Sequence, residues 1–218
     1  NLPAINKFNF TKSVEKNDDI PIPMYNLNQL GEFLPGEEYA FKIFLNFIDK
    51  KIHTYKDNRD YLYLDGTSKL SPYIKFGMIA IRQIYNSCLN LPVSKGVRKW
   101  VDELLWREFY LYINYYFPQS IHAEFQEKYS NFQWKQDLSL FNKWKYGETG
   151  FPIVDACMKQ LINTGWMHNR GRMIVASFLT KDLLIDWRMG EKWFMQNLID
   201  GDRPSNVGGW QWTAGCGV

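Results

Sequence analysis

Near the end of the chain, "DGDRPSNVGGWQW" (200–212) sets two carboxylates, Asp200 and Asp202, ahead of an amide, Asn206, two glycines and two indoles, Trp210 and Trp212. Carboxylates can pair with cations, an amide can donate or accept a hydrogen bond, and indoles can stack on flat ligands or carry electrons. The density of turn formers predicts a loop here.

A second constellation is "WVDELLWREFY" (100–110). At helical spacing Trp100, Glu103, Trp106, Arg107 and Tyr110 share one face. Val101, Leu104, Leu105 and Tyr112 make a neighbouring apolar stripe that can serve as the core face. The mixed face is either an amphipathic surface carrying a Glu–Arg pair or a ligand wall, and two indoles among charges are costly to leave in water. A third stretch is "GWMHNRGRM" (165–173). Gly165 suits a helix C-terminus, and Asn169, Arg172, Met173 and Ala176 share a face of the helix that follows. Arg172 needs a carboxylate or phosphate if it turns inward, Arg170 points elsewhere, and His168 reads as a structural or capping residue. A fourth is "TSKLS" (67–71), whose hydroxyls and N–H groups could hold phosphate, although Thr/Ser loops are commonly plain turns.

These stretches need a scaffold. "LPGEEYAFKIFLNFIDKKI" (34–52) reads as a helix, with Glu37 and Glu38 in the first turn where the helix dipole favours acids. Apolar residues at i, i+3 and i+4 predict further helices over roughly 79–90, 97–117, 152–164, 169–185 and 190–199. "YLDGTSKLSPYIKFG" (63–77) interrupts them as a loop, and no long alternating strand pattern occurs. The fold class is all-α. Residues 1–35 read as a linker, with the helical domain over 36–218.

The 218 residues, 45% hydrophobic, can bury a large core, and nine tryptophans are more than packing usually takes. A net charge of +3 permits a nucleic-acid partner without demanding one. The three cysteines and three histidines are scattered, so neither a disulfide framework nor a metal site is indicated. No glycine-rich dinucleotide fingerprint opens a helix, and no apolar run is long enough to span a membrane.

Together "DGTSKLSPYIKFG", "ELLWREFY", "TGFPIVDACMKQLINTGWMHNRGRMIVASFLTKDLLIDWRMGEKWF" and "DGDRPSNVGGWQW" resemble the helical FAD-binding domain of the photolyase/cryptochrome family, over most of residues 35–218. They look most like microbial class I photolyases that repair cyclobutane pyrimidine dimers. The resemblance implies an FAD whose diphosphate is held by Thr67, Ser68, Lys69, Leu70 and Ser71. It matches Tyr55, Trp100 and Arg107 to other cofactor contacts. It also matches Arg172 and Asp200 to an ion pair against the isoalloxazine, Asp202 to a second acid, and Asn206 to the residue facing flavin N5. On the substrate side it matches Trp106 and Trp212 to indoles that pack on a flipped-out dimer and Glu103 to the carboxyl that hydrogen-bonds it. Asn169 and Met173 match pocket neighbours, and Arg170 a phosphate contact. Trp210, Trp187 and Trp134 resemble an electron-transfer chain, with core packing as the alternative for the last two.

The implied activity is light-driven repair of dimers in double-stranded DNA. An electron passes from excited reduced flavin to the dimer and returns, with the protein supplying positioning and desolvation. A monomer in the cytoplasm, nucleoid-associated if bacterial, is expected, without metal. The family's N-terminal antenna domain, where a folate or deazaflavin would sit, has no counterpart in these residues, and the family continues past "AGCGV", so the chain reads as a fragment. Gly171 departs from class I toward the "NRGR" of DASH-type cryptochromes, while Met173 and "GGWQW" favour class I. The alternatives are a DASH-type protein acting on single-stranded DNA, a cryptochrome photoreceptor, and a helical nucleic-acid-binding module without flavin.

Overall fold

The computed structural model describes residues 33–218. In chain order its helices are α1 (Glu37–Lys50), α2 (Tyr55–Asn58), α3 (Ser71–Lys75), α4 (Ile81–Leu89) and α5 (Lys95–Tyr116). They are followed by α6 (Leu138–Tyr146), α7 (Pro152–Thr164), α8 (Asn169–Ser177), α9 (Trp187–Asn197) and α10 (Arg203–Ala214). Among the described residues there is no strand, only one isolated parallel bridge between Lys135 and Ile185, so the all-α reading holds. No described helix is long and apolar enough to cross a membrane, and no described cluster could hold a metal ion. Residues 1–32 of the linker assignment lie outside the described residues.

Local chemistry explains most boundaries. The Ser94 hydroxyl accepts from Val97 N–H to start α5, and Asp137 and Asp186 cap α6 and α9 in the same way. His168 caps α8, its Nδ1 accepting from Arg170 N–H at 3.1 Å, which bears out its structural reading. Gly165 closes α7 in the left-handed conformation with φ 67°, where an L-residue would be strained.

Two apolar clusters form the core. One gathers Phe44, Phe47, Tyr73, Ile84, Trp100 and Leu104 from the first half of the chain. The other gathers Trp144, Met158, Leu161, Trp187, Phe194 and Trp210 from the second. α10 packs on α5, α8 and α9 and so ties the halves together.

Four expectations are corrected. The 200–212 stretch is not a loop beyond residue 202: α10 runs through Pro204, both glycines and both tryptophans. Pro204 is harmless in the first turn, where no intrahelical donor is lost. Gly208 is needed because a Cβ there would overlap the Tyr110 ring of α5. The 169–185 helix ends as α at Ser177 and passes into a π-turn over Phe178–Asp182. α6 was not foreseen, and neither was the short α3 inside the 63–77 loop. Finally, the core stripe of α5 is Val97, Trp100 and Leu104, whereas Leu105 and Tyr112 are more than half exposed.

α9 can approach α10 because Gly190 faces the Trp210 indole. A Cβ at 190 would overlap two ring carbons of Trp210 and crowd Leu179. Gly190→Ala is therefore expected to destabilise the fold by about 1–3 kcal/mol, the usual cost of overpacking, seen as a lower melting midpoint. An unchanged midpoint would show that α9 and α10 have slack there.

Candidate functional site

The 67–71 loop is built with strain. Lys69 adopts φ 53°, a region costly for a residue with a side chain and common at binding loops. Its ammonium lies over the Trp166 ring, 5.6 Å from the centroid. Leu70 is buried beneath, Thr67 and Ser68 are half-buried, and Ser71 opens α3 at the surface. A cavity of about 310 Å³ on the α1 side is lined by Thr67, Ser68, Lys42, Lys51, Lys69 and Tyr39 among others. Asp65 lines it too and pairs with Lys51 at 2.5 Å and Lys69 at 3.8 Å, so the positive charge of the lining is partly neutralised. Arg107, Arg172, Asp200 and Asn206 do not line it, so it covers only the outer flank of the loop.

Arg172 and Asp200 form an ion pair. Arg172 Nη2 donates to Asp200 Oδ2 at 2.7 Å while its Nε donates to the Met167 carbonyl at 2.9 Å. The Asp200 side chain is 1% exposed, and its other oxygen, Oδ1, is buried without a partner. A buried anionic acceptor with no donor is costly. Arg107 Nη2 lies 3.6 Å from Asp202 Oδ1, and Ser205 Oγ donates to Asp202 Oδ2 at 2.6 Å. On α10, Asn206 Nδ2 donates to both the backbone oxygen and Oε1 of Glu191, each at 3.0 Å. Its amide hydrogens are thereby committed to Glu191. Burial pushes the Glu191 carboxyl above its ordinary range.

The residues that the resemblance matches to a substrate sit among charges, Glu103 and Arg170 each in an ion pair. Glu103 is held by Arg59 from behind α2 and by Lys99 at 3.1 Å. The Arg59 guanidinium lies over the Tyr55 ring, 5.5 Å from the centroid. Burial, then the Glu103 carboxylate, drives the Tyr55 phenol well above its ordinary range. Arg170 pairs with Asp60 at 2.5 Å. Its Nη1 also points at Met173 Sδ, 3.3 Å away, which Asn169 approaches at 3.8 Å. Trp106 and Trp212 are 49% and 53% exposed, so both large indoles stand open to a stacking partner. Trp100, by contrast, is buried against Phe44 and Phe47.

Trp210 and Trp187 are buried, and Trp134 packs against the same apolar cluster. Trp187 Nε1 donates to Glu124 at a long 3.5 Å. The indole N–H groups of Trp134 and Trp210 are buried without partners. Trp144, passed over in the sequence, stands edge-on to Trp210 with centroids 6.0 Å apart and donates to the Val175 carbonyl at 2.9 Å. Arg59, Asp60 and Glu191 were also missed. The charged "RD" pair ahead of the aromatic "YLY" was the one local signal for the first two.

The family described as the FAD binding domain of DNA photolyase matches residues 100–218. A deoxyribodipyrimidine photo-lyase of Alkalihalophilus pseudofirmus is 52% identical over 184 residues, covering 84% of this chain and 38% of that protein. The crystal structure of a bacterial class III photolyase from Agrobacterium tumefaciens superposes with a TM-score of 0.82 at 42% identity, covering 84% of this chain and 39% of that one. A Synechocystis cryptochrome superposes with a TM-score of 0.80 at 34% identity, covering 88% of this chain and 41% of that one. The chain thus spans about 40% of the length of the curated relatives it matches.

Proposed function

The chain belongs to the family of the FAD-binding domain of DNA photolyase, and from that premise we propose that it is the flavin- and DNA-binding part of a light-driven deoxyribodipyrimidine photo-lyase. The observation that carries this reading is the Arg172–Asp200 pair, in which the buried, unpartnered Oδ1 of Asp200 fits an N–H donor of a heterocycle such as the isoalloxazine. Thr67, Ser68, Lys69, Leu70 and Ser71 would hold the diphosphate, and Tyr55, Trp100, Arg107 and Asp202 would complete the pocket. Bound FAD supplies a light-absorbing ring system able to lend one electron to a pyrimidine dimer. Asn206, its amide fixed by Glu191, presents an acceptor toward flavin N5. Glu103, Asn169 and Met173 line the dimer pocket between Trp106 and Trp212, and Trp210, Trp187 and Trp134 serve as an electron relay. The partner is double-stranded DNA carrying dimers, met by a monomer in the cytoplasm or nucleoid.

A DASH-type reading, with single-stranded DNA as substrate, is favoured by one feature. Gly171 is packed so tightly that a Cβ would lie 2.9 Å from Cys157 Sγ, and a larger side chain there would shift α8.

Two substitutions test the DNA side. Arg170→Ala is expected to weaken binding to damaged and undamaged duplex alike and to reduce the salt slope by about 1, as for one lost phosphate contact. Trp106→Ala is expected to erode the preference for the dimer, since stacking on a base is worth about 1–3 kcal/mol. Titrations of labelled duplex and single strand, with and without a dimer, read both effects. An intact preference in Trp106→Ala would remove that residue from the pocket.

A further inference from the structure

Glu103, the carboxylate proposed to accept a hydrogen bond from the dimer, is held by one oxygen: the Arg59 guanidinium and the Lys99 ammonium both lie against Oε1. That double hold fixes the direction in which the carboxylate faces, and loosening it would let the group turn to meet a base. The charges around Glu103 run in an unbroken line through Arg59. Arg170 pairs with Asp60 at 2.5 Å, Asp60 lies 3.6 Å from Arg59 Nε, Arg59 holds Glu103, and Glu103 meets Lys99. Arg59, at 13% side-chain exposure against 52% for Asp60, is the most buried member of the line.

Building on the dimer-repair reading, we propose that Asp60 is a specificity-determining positioning residue that couples phosphate contact at Arg170 to release of Glu103 for the base. A phosphate arriving at Arg170 competes with Asp60 for one guanidinium, because both are anions and Arg170 already commits Nη2 to Asp60. Once Arg170 turns to the phosphate, the nearest cation left to Asp60 is Arg59. Arg59 has a rigid fork with its Nε toward Asp60 and its Nη1 on Glu103. A stronger pull on the first edge weakens the grip on the second, and Glu103, then held chiefly by Lys99, can turn to present an oxygen to a base N–H. Asp60 need touch neither phosphate nor base. Undamaged duplex, which offers phosphate but no extruded base, gains nothing from freeing Glu103. The relay therefore adds to discrimination and not to overall affinity.

The test uses full-length, flavin-loaded protein in the dark, with fluorescence anisotropy on one duplex with and without a single thymine dimer. In Asp60→Asn the rim loses a negative charge, so affinity for undamaged duplex is expected to rise about threefold, the scale of an exposed charge interaction. Arg59 is left wholly to Glu103, so the preference for the dimer is expected to fall about tenfold, the scale of one hydrogen bond to a charged group. Asp60→Glu, which keeps the carboxylate, is expected to retain most of the preference. A rise in affinity with the preference unchanged would overturn the relay and leave Asp60 a mere repulsive charge. An equal loss of preference in Asp60→Glu would overturn it too, since the charge would then not be the cause. Wild-type protein with no preference for the dimer would instead sink the repair reading, and the relay with it.

Discussion

Arg172→Ala in the full-length protein is expected to purify without flavin and to melt well below wild type. The substitution strands a carboxylate whose side chain is 1% exposed and whose second oxygen has no protein partner. Breaking a buried ion pair from one side costs about 3–5 kcal/mol. Arg172 is itself 26% exposed, so water can reach part of the site and the lower end applies. At roughly 2–4 °C per kcal/mol for a domain of this size, the midpoint should fall by close to ten degrees. Arg172→Lys should rescue little, because a single ammonium cannot serve the Met167 carbonyl and Asp200 together as the guanidinium does. Absorbance of the purified variants near 450 nm, read beside a thermal melt, checks both halves. Full flavin content in Arg172→Ala would remove the pair from the cofactor site.

The second large effect separates Trp210 from Trp212, two residues apart on α10 and opposite in burial, 2% against 53% exposed. Trp210→Phe keeps a ring among Phe194, Trp144 and the Gly190 backbone and loses no hydrogen bond, because the indole N–H has no partner. What it removes is the easily oxidised indole. Light-driven reduction of the oxidised cofactor should therefore be blocked, while repair by chemically reduced protein stays near wild type. Trp212→Phe should do the reverse. Photoreduction persists, and dimer binding falls by about 1 kcal/mol through lost stacking area, roughly fivefold in Kd. Transient absorption and a repair assay under dithionite, run on both variants, read the split. Equal photoreduction in wild type and Trp210→Phe would return Trp210 to packing.

The sequence makes plain whatever is decided locally. The acids that start α1, the capping His168 and the terminal Gly165 announce their helices within a turn of the boundary. α10 was hidden because Pro204, Asn206, Gly208 and Gly209 are poor helix formers. Packing on α5, α8 and α9 overrides that propensity, and the closeness of Tyr110 to Gly208 is what demands the glycine. α6 is short, and it is anchored by Trp144, whose hydrogen bond reaches Val175, 31 positions away. The π-turn at 178–182 escaped because the apolar periodicity runs on through it.

The candidate site divides in the same way. Arg172, Asp200 and Asn206 carry a family pattern that can be read without coordinates. Arg59 and Asp60 act on residues 44 and 110 positions away, and Glu191 on one 15 away. No local spacing announces such partners, because the fold alone brings them together.

The most direct test of light-driven dimer repair is made on the full-length protein, loaded with FAD and reduced chemically, with duplex carrying thymine dimers. Dimer content is measured after blue light and after an equal time in the dark. Dimers are expected to disappear under light, in many turnovers per protein, and to persist in the dark. Dimers that survive illumination while reduced FAD is bound would rule out light-driven repair.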